Sequence, residues 1–530
     1  MKTIKQNFDV IVIGSGASGS VISHYLVNEG LNICLVEKGE ELNIEDAPSQ
    51  SFNWESKKRK KYSFNPNVRK NKADYQIDCT ESPIEVANFN GLGGSTALFS
   101  AHYPRFHESD FMTKTIDDVG VDWPISYNDL KEHYAANEKF LGVSGLPGDP
   151  VYPDRMSHLN PPIPIGNTGE IIAKAFNKKK WHWWPSYSAI LNQNNKHRER
   201  CRNIGACNTG CPNGAKSSAD VTFIRESLKK GLTLFKNTTA LSIELTDKKI
   251  KGLICNTASG EKILIRSKKI VLAANAIGTL RILWNSSDKK NFLANSSGQI
   301  GKNFMIHPLG YVEGYIEDAN DAHIGPQGSW IASHEFYKTD LSRDFSRGFT
   351  MHLLKNIGPS ELTFNYLLRK KIKNETKISE FVKKRIAGTI GIATICEDLP
   401  EEKNRIIMKD NSNTPDLLPQ PKVIYELSNN TKKMISFGMS RSKEILKLAG
   451  AKDIYGSGPI RFAGWHLTGT TKMGNNPSDS VVNKFGECHD IRNLYIADGG
   501  VFPTSSSVNP AATIQAVARY IAKNIAHEFK

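Results

Sequence analysis

The run Asp9–Ile13 (DVIVI) leads directly into Gly14-Ser15-Gly16-Ala17-Ser18-Gly19, and no other feature of the 530-residue chain limits its fold so strongly. The β-branched stretch predicts a short buried strand. The glycines predict a tight turn, and the pattern through Asn28 predicts a helix. A second strand, Asn32–Val36 (NICLV), ends at Glu37. Strand, glycine turn, helix and strand with an acid at its end make a βαβ unit, which opens a doubly wound α/β domain. Gly14, Gly16 and Gly19 let backbone N–H groups and a helix N-terminus meet a diphosphate, and Glu37 is placed to accept hydrogen bonds from an adenosine ribose. These residues point to a dinucleotide without separating FAD from NAD.

Further parallel strands are expected at Leu232–Phe235, Ala240–Leu245, Lys269–Ala273 and Asn493–Ile496, so the nucleotide domain is assembled from segments far apart in the chain. Between about Gly310 and Pro459 the texture changes. Alternating runs at Tyr311–Ile316, Phe349–Leu354, Thr389–Cys396 and Val423–Leu427 read as an antiparallel sheet. A helix follows Ser428, its N-cap, and stops near Gly450. The expected fold is therefore α/β: a discontinuous Rossmann-like dinucleotide-binding domain (1–160, 201–309 and 460–530), and a substrate domain (161–200 and 310–459) built on an antiparallel sheet with helices.

The chain carries 69 Lys+Arg against 54 Asp+Glu, a net +15, so anionic partners have to be considered. Much of the excess lies in Lys57–Lys61 (with Arg69, Lys70 and Lys72 beyond it) and in Arg369–Lys384. Aromatic residues (Tyr62, Phe64, Phe381) are too few and not interleaved with the charges as single-strand binders require, so both read as solvated faces and nucleic acid is not expected. No window reaches about 18 uninterrupted apolar residues, which argues against a membrane span. The N-terminus enters its first strand within eight residues, without a separate apolar leader. The expectation is a cytoplasmic protein.

A second glycine loop, Asn90-Gly91-Leu92-Gly93-Gly94-Ser95-Thr96, lets backbone pass close to a flat ring. From here the chain resembles the glucose–methanol–choline (GMC) oxidoreductases. NGLGGSTALFSAHYPRFHESDF, with Arg105 and Asp110-Phe111, resembles one family signature, and AANAIGTLRILWNSS (Ala273–Ser287) resembles another. IGKNFMIHP (Ile300–Pro308) is similar to the segment before the family's substrate sheet, and Trp465–Ala518 matches its most specific region. DWPISYNDLKEHYAANEKFLGVSG (Asp122–Gly145) resembles the branch of fructose and gluconate dehydrogenase flavoprotein subunits and pyranose oxidases.

The resemblance implies an FAD-dependent enzyme that oxidises a CH–OH group of a sugar, polyol or glycoside-like alcohol. Hydride would pass to flavin N5 and the electrons on to an acceptor. The alternatives are oxidation of an aminoglycoside, sterol or fatty alcohol, or an FAD-binding subunit without turnover. Oxidising a carbinol requires a group to take the hydroxyl proton, and imidazole titrates in the right range. His466 occupies the family's base position ahead of Gly469–Gly474 (GTTKMG), and Asn509 occupies the position of its partner. By its own chemistry Asn509-Pro510 is also a helix start, Asn as N-cap and Pro at the first helical position, before a helix over Ala511–Ala526. Gly93, Gly94, Ser95, Asp498, Gly499 and Pro510 fall on the family's flavin-contacting segments. Some relatives bond a His of the Gly-Gly loop to the flavin; this chain has Leu98 there, which implies non-covalent FAD.

Cys201, Cys207 and Cys211 lie in one short loop. They read either as free thiols or as the ligands of a small iron–sulfur cluster, since thiolates are its usual ligands. The branch just named includes members with a 3Fe–4S cluster at a similar place. A cluster would imply an electron-acceptor subunit, and a small partner subunit is also known among those relatives. Trp181-His182-Trp183-Trp184 could stack on sugar rings, although core packing is the better reading.

Overall fold

The computed structural model describes residues 1–43, 47–51, 53–154, 156–287, 291–327, 330–355, 357–370, 375–409 and 414–530. The first strand is longer than the sequence pattern suggests, spanning Lys2–Ile13. Only its second half is buried, and that half carries the register Val10↔Ile33 to Ile13↔Val36 with the strand Ile33–Val36. On its other side lies Lys262–Leu272, also parallel. Thr233–Phe235 extends the sheet beyond Ile33–Val36, and Leu494–Ile496 pairs in parallel with the end of Lys262–Leu272.

One expectation is corrected here. Ala240–Leu245 belongs to the strand Thr239–Thr246, which runs antiparallel to Lys249–Asn256 and not parallel to a neighbour. The two residues between these strands, Asp247 and Lys248, both sit at positive φ (49° and 59°). That is the backbone a two-residue hairpin needs, here made without the glycine that usually marks it.

The helix Ala17–Asn28 follows the glycine turn and buries Val21, Ile22, Leu26 and Val27. It packs on Ala511–His527 and on Phe223–Lys229. The C-terminal helix buries an alanine-rich face (Ala512, Ala516, Ala518, Ala522), whose small side chains let it lie close to its neighbours.

A second, six-stranded antiparallel sheet runs in the order Lys452–Ser457, Leu309–Tyr315, Thr389–Cys396, Phe349–Leu354, Ile331–Ser333, Trp184–Pro185. Its middle strand, Thr389–Cys396, is buried along its whole length. The helix Asn429–Leu448 covers one face, and Ser428 caps it by accepting from the Thr431 N–H (3.0 Å). The run Val423–Leu427 does not join this sheet. Its strand, Gln420–Ile424, alternates buried and half-buried residues and pairs with Arg405–Lys409 and Asp78–Glu81 in a separate three-stranded sheet.

In the basic run Lys57–Lys61, the Lys58 ammonium lies over the Trp54 and Phe64 rings, while Arg59, Lys60 and Lys61 are exposed. Of Arg369–Lys384, residues 371–374 lie outside the described residues; the rest is helical. Among the described residues no helix is long and apolar enough to cross a membrane.

Candidate active site

The nucleotide end of the site is made by backbone. Gly14 (φ +96°) lies so close to the strand end at Ala273 that a Cβ would sit 2.5 Å from the Ala273 carbonyl oxygen. Gly16 takes the cap position of helix Ala17–Asn28 with no side chain capping the first amides. Those amides are free for an anion at the positive end of the helix dipole. A Cβ on Gly19 would fall 1.9 Å from the Gly14 carbonyl oxygen.

The second glycine loop faces the first. A Cβ on Gly94 (φ +53°) would lie 2.7 Å from the Gly16 Cα, and Gly93 is also left-handed (φ +85°). Ser95 Oγ accepts from the Phe89 N–H (3.2 Å), which holds this loop's shape. Glu37 is buried and accepts from Ser15 N–H (3.0 Å), Ser15 O–H (2.6 Å) and Gly39 N–H (2.9 Å). Burial raises its pKa, and those three donors oppose the shift. Asp498 accepts from Thr279 Oγ1 (2.5 Å) and from the Gly500 N–H (2.9 Å), and burial pushes its carboxyl up to about 6.

A cleft runs from Glu37 and Thr238, past Gly14 and Gly16, to Asp498, Gly499 and Pro510. Uncapped helix amides, two facing glycine loops and a long cleft closed by a buried acid suit an elongated dinucleotide. The residues fit FAD.

A second, larger cavity with mostly apolar walls shares Ala17, Ser95, Thr96, Trp465, His466 and Pro510 with the first. His466 stands at the junction. Its place is set by a cross-strand pairing: Met305 and Thr468 exchange N–H···O bonds of 3.0 Å, which puts His307 and His466 opposite one another. Their Nδ1 atoms are 2.7 Å apart, and His307 Nε2 is 2.5 Å from Ser505 Oγ. On the other side of the ring, His466 Nε2 lies 3.1 Å from Asn509 Nδ2.

With the Asn509 amide N–H donating to His466 Nε2, the protons fall into one order. His466 Nδ1–H donates to His307 Nδ1, and His307 Nε2–H donates to Ser505 Oγ. The Nε2 lone pair of His466, engaged only by the Asn509 amide, is therefore the basic site that faces the cavity junction. Burial, and secondarily the nearby His102, push His466 down to about 3, so the ring is neutral. Burial also holds His307 well below the usual imidazole range.

Asn509 is not the N-cap the sequence suggests. Pro510 takes the cap position, with no side-chain cap bond, while the Asn509 amide turns to His466 and its Oδ1 is buried without a partner. The preceding loop is pinned from outside: Ser507 Oγ donates to the Gly348 carbonyl (2.8 Å), and Trp123 Nε1 donates to Thr504 Oγ1 (2.7 Å). Sequence reading gave His307 and Asn303 no catalytic role. The only signal for His307 is a His-Pro pair just before the first strand of the second sheet, and nothing local says that it pairs with a stretch more than a hundred residues away.

Of the two readings of the cysteine loop, the geometry supports free thiols and gives the iron–sulfur cluster no support. Among the described residues no group of three His, Cys, Asp or Glu is placed to hold a metal ion, so Cys201, Cys207 and Cys211 do not form a ligand set. Their sulfurs accept instead from separate backbone N–H groups, those of Asn203, Gln327 and Lys216 (3.4 Å each). The loop acts as a clamp. The buried Lys216 ammonium donates to the carbonyls of Cys207 (2.6 Å), Ala97 (2.8 Å) and Phe99 (3.1 Å), tying the cysteine loop to the second glycine loop. The Trp181–Trp184 cluster serves packing: Trp183 and Trp184 donate to Asn177 Oδ1 and the Leu146 carbonyl (2.8 Å each), and Trp181 meets Phe336 edge-on.

A doubly wound dinucleotide fold, joined to an antiparallel sheet over an apolar cavity with an imidazole at the junction, defines a flavin-dependent oxidoreductase. GMC oxidoreductase family models match residues 8–309 and 400–518, and the chain belongs to that family of FAD enzymes acting on the CH–OH groups of alcohols. It is similar to a 2-methyl-1,2-propanediol dehydrogenase of Mycolicibacterium austroafricanum, with 32% identity covering 98% of this chain and 95% of that protein. It is also similar to a fructose dehydrogenase large subunit of Gluconobacter japonicus, at 25% identity over 98% of each. A formate oxidase of Aspergillus oryzae has the same fold, with a TM-score of 0.70 over 100% of this chain and 99% of that one at 15% identity.

Proposed function

We propose that this enzyme oxidises a neutral sugar- or polyol-like alcohol, with His466 as general base and Asn509 as the second group on the substrate oxygen. The observation that carries the reading is the 3.1 Å contact between those two side chains where the nucleotide cleft meets the apolar cavity. The nucleotide end is assigned to Gly14, Gly16, Gly19 and Glu37, and the ring end to Gly93, Gly94, Ser95, Asp498, Gly499 and Pro510. Leu98 offers no nucleophile to the ring, so FAD is held non-covalently. When bound, FAD supplies the acceptor for the carbinol hydride at N5, and the electrons leave to an acceptor.

The remaining chemistry belongs to the chain. The substrate hydroxyl displaces the Asn509 amide from His466 Nε2 and donates its proton there. The amide N–H then hydrogen-bonds the oxygen as it gains negative charge. A buried imidazolium is costly on its own, but beside an alkoxide it forms a compensated pair, which restores the basicity that burial removes. Its Nδ1–H already points at His307 Nδ1, so the positive charge is shared along His307 toward Ser505. Holding carbinol and base in one geometry contributes on the order of 7–11 kcal/mol.

The names of two relatives, a diol dehydrogenase and a fructose dehydrogenase, support a polyhydroxylated substrate. The test is anaerobic bleaching of bound flavin by alcohols. His466→Ala is expected to stay yellow and to lose roughly 10²-fold or more in bleaching rate. Bleaching at the wild-type rate in that variant removes His466 from the role.

A further inference from the structure

The second cavity differs in its lining from the nucleotide cleft, which carries Glu37, Lys38, Arg281 and Asp498. Among the described residues it presents no Lys, Arg, Asp or Glu; its polar side chains are all neutral, and most of its wall is apolar. A carboxylate or ammonium drawn into such a chamber would lose its hydration with no counter-charge to replace it.

Away from His466, a second set of polar groups lines the same chamber. His352 sits on Phe349–Leu354, at the middle of the second sheet, with Ala332 and Ala393 directly opposite on the two neighbouring strands. Two alanines leave room beside the ring. The residue is 2% exposed, and neither ring nitrogen has a hydrogen-bond partner among the described residues. His102 meets it edge-on, with centroids 4.7 Å apart, and the His102 Nδ1 is likewise without a partner. Asn208 and Gln327, from the cysteine clamp and the segment that bonds it, add two buried carbonyl oxygens in the same condition. Buried imidazoles and amides are nearly always satisfied, so a group of unsatisfied ones lining a cavity marks where a ligand's polar atoms go.

Burial keeps His352 neutral, holding it well below the ordinary imidazole range, with His102, His334 and His466 adding to the shift. A neutral imidazole offers one donor and one acceptor. A hydroxyl group, itself donor and acceptor, matches it; a cation or anion does not.

We infer that the substrate is an uncharged alcohol carrying a second hydroxyl, and that His352, seconded by His102, binds this hydroxyl while the carbinol to be oxidised lies at His466. This assignment rests on the proposed function above and narrows it. It excludes hydroxy acids and amino alcohols, and it makes His352 a specificity-determining residue outside the proton-transfer pair.

The test uses the FAD-loaded protein and four alcohols that differ at one substituent. Propane-1,2-diol carries the second hydroxyl, 2-methylpropan-1-ol replaces it with methyl, 2-aminopropan-1-ol with ammonium, and 3-hydroxy-2-methylpropanoate with carboxylate. The expected order of anaerobic bleaching rate constants places the diol about 10-fold or more above the methyl analogue, because the missing hydroxyl leaves buried groups unpaired. The two charged analogues should fall lower still. In His352→Leu the diol-to-methyl ratio should collapse toward one, and His352→Gln, which keeps a donor and an acceptor, should restore part of it.

Equal wild-type rates for diol and methyl analogue overturn the inference, as does an unchanged ratio in His352→Leu or an ammonium or carboxylate analogue as fast as the diol. If His352→Leu takes up no flavin, the wild-type ratios decide alone. Bleaching by the methyl analogue without preference for the diol sinks this inference and leaves the proposed function standing. Failure of all four alcohols to bleach sinks both.

Discussion

The Asn509 amide can only donate to His466 Nε2, so the His466 proton sits on Nδ1 and is held there by His307 Nδ1 at 2.7 Å. His307 is a positioning residue in this scheme. Replacing it by Phe removes the acceptor and lets the His466 tautomer drift. His307→Phe should lower kcat by roughly 10- to 100-fold with KM little changed, since the lost interaction belongs to proton transfer rather than to substrate binding. His307→Asn, which can still accept at that position, should recover part of the loss. A variant with raised KM and normal kcat would show a binding role instead. The pH profile offers a second check. Because burial depresses the His466 pKa to about 3, its protonated form is lost well below neutrality. The base is therefore available from about pH 5 upward, and kcat/KM should show no rise near 6.5 that disappears in His466 variants.

At the scale of elements, the two glycine loops work by closeness. Gly94 faces Gly16 with no space for a methyl group: a Cβ would stand 2.7 Å from the Gly16 Cα, and its φ of +53° already disfavours a side chain. Gly94→Ala should leave the sheets folded but spread the loops apart. The protein is then expected to leave gel filtration with less than a tenth of its flavin, whereas retention of full colour would mean that the loops do not jointly hold the cofactor. The cysteine loop shows how spacing misleads. Three cysteines in one loop suggest a cluster, yet the folded loop spends its contacts on clamping. Anaerobically purified protein should accordingly contain less than stoichiometric iron and acid-labile sulfide.

Across the whole molecule, one buried cation ties the loop that ends at Asn509 to the end of the second sheet's strand Thr389–Cys396 and to the helical turns that carry Asp110 and Asp117. Arg347 pairs with Asp110 (2.5 Å), Asp117 (2.7 Å) and Glu397 (2.8 Å), and Ser507 donates to the same Glu397 at 3.3 Å. The burial of Glu397 pushes its carboxyl up to about 7, with the Arg347 charge opposing. Arg347→Met would leave these acids without their counter-ion. Removing one partner of such a buried set costs about 3–5 kcal/mol, which urea unfolding of the variant should report, along with weaker flavin retention.

Asp9–Glu37 could be read locally because the βαβ unit is local: hydrophobic period, glycine turn and terminal acid all lie within one stretch. The same holds for Ser428 as a cap and for the buried run Thr389–Cys396. The hairpin at Asp247-Lys248 escaped because its positive φ angles are imposed by strand pairing and not by a glycine. The second sheet's partner strands and the destination of Gln420–Ile424 depend on which distant segments bury each face. By itself the chain determined the βαβ opening of its nucleotide half and singled out His466 and Asn509 as a pair to look for, since each lies in a contiguous motif. Only the tertiary structure brought His307 against His466, tied the cysteine loop to the second glycine loop, and, among the described residues, left the cavity without a charged side chain and His352 without a hydrogen-bond partner. Each of these is a property of side chains brought together from distant segments, where burial and the absence of water set the energies.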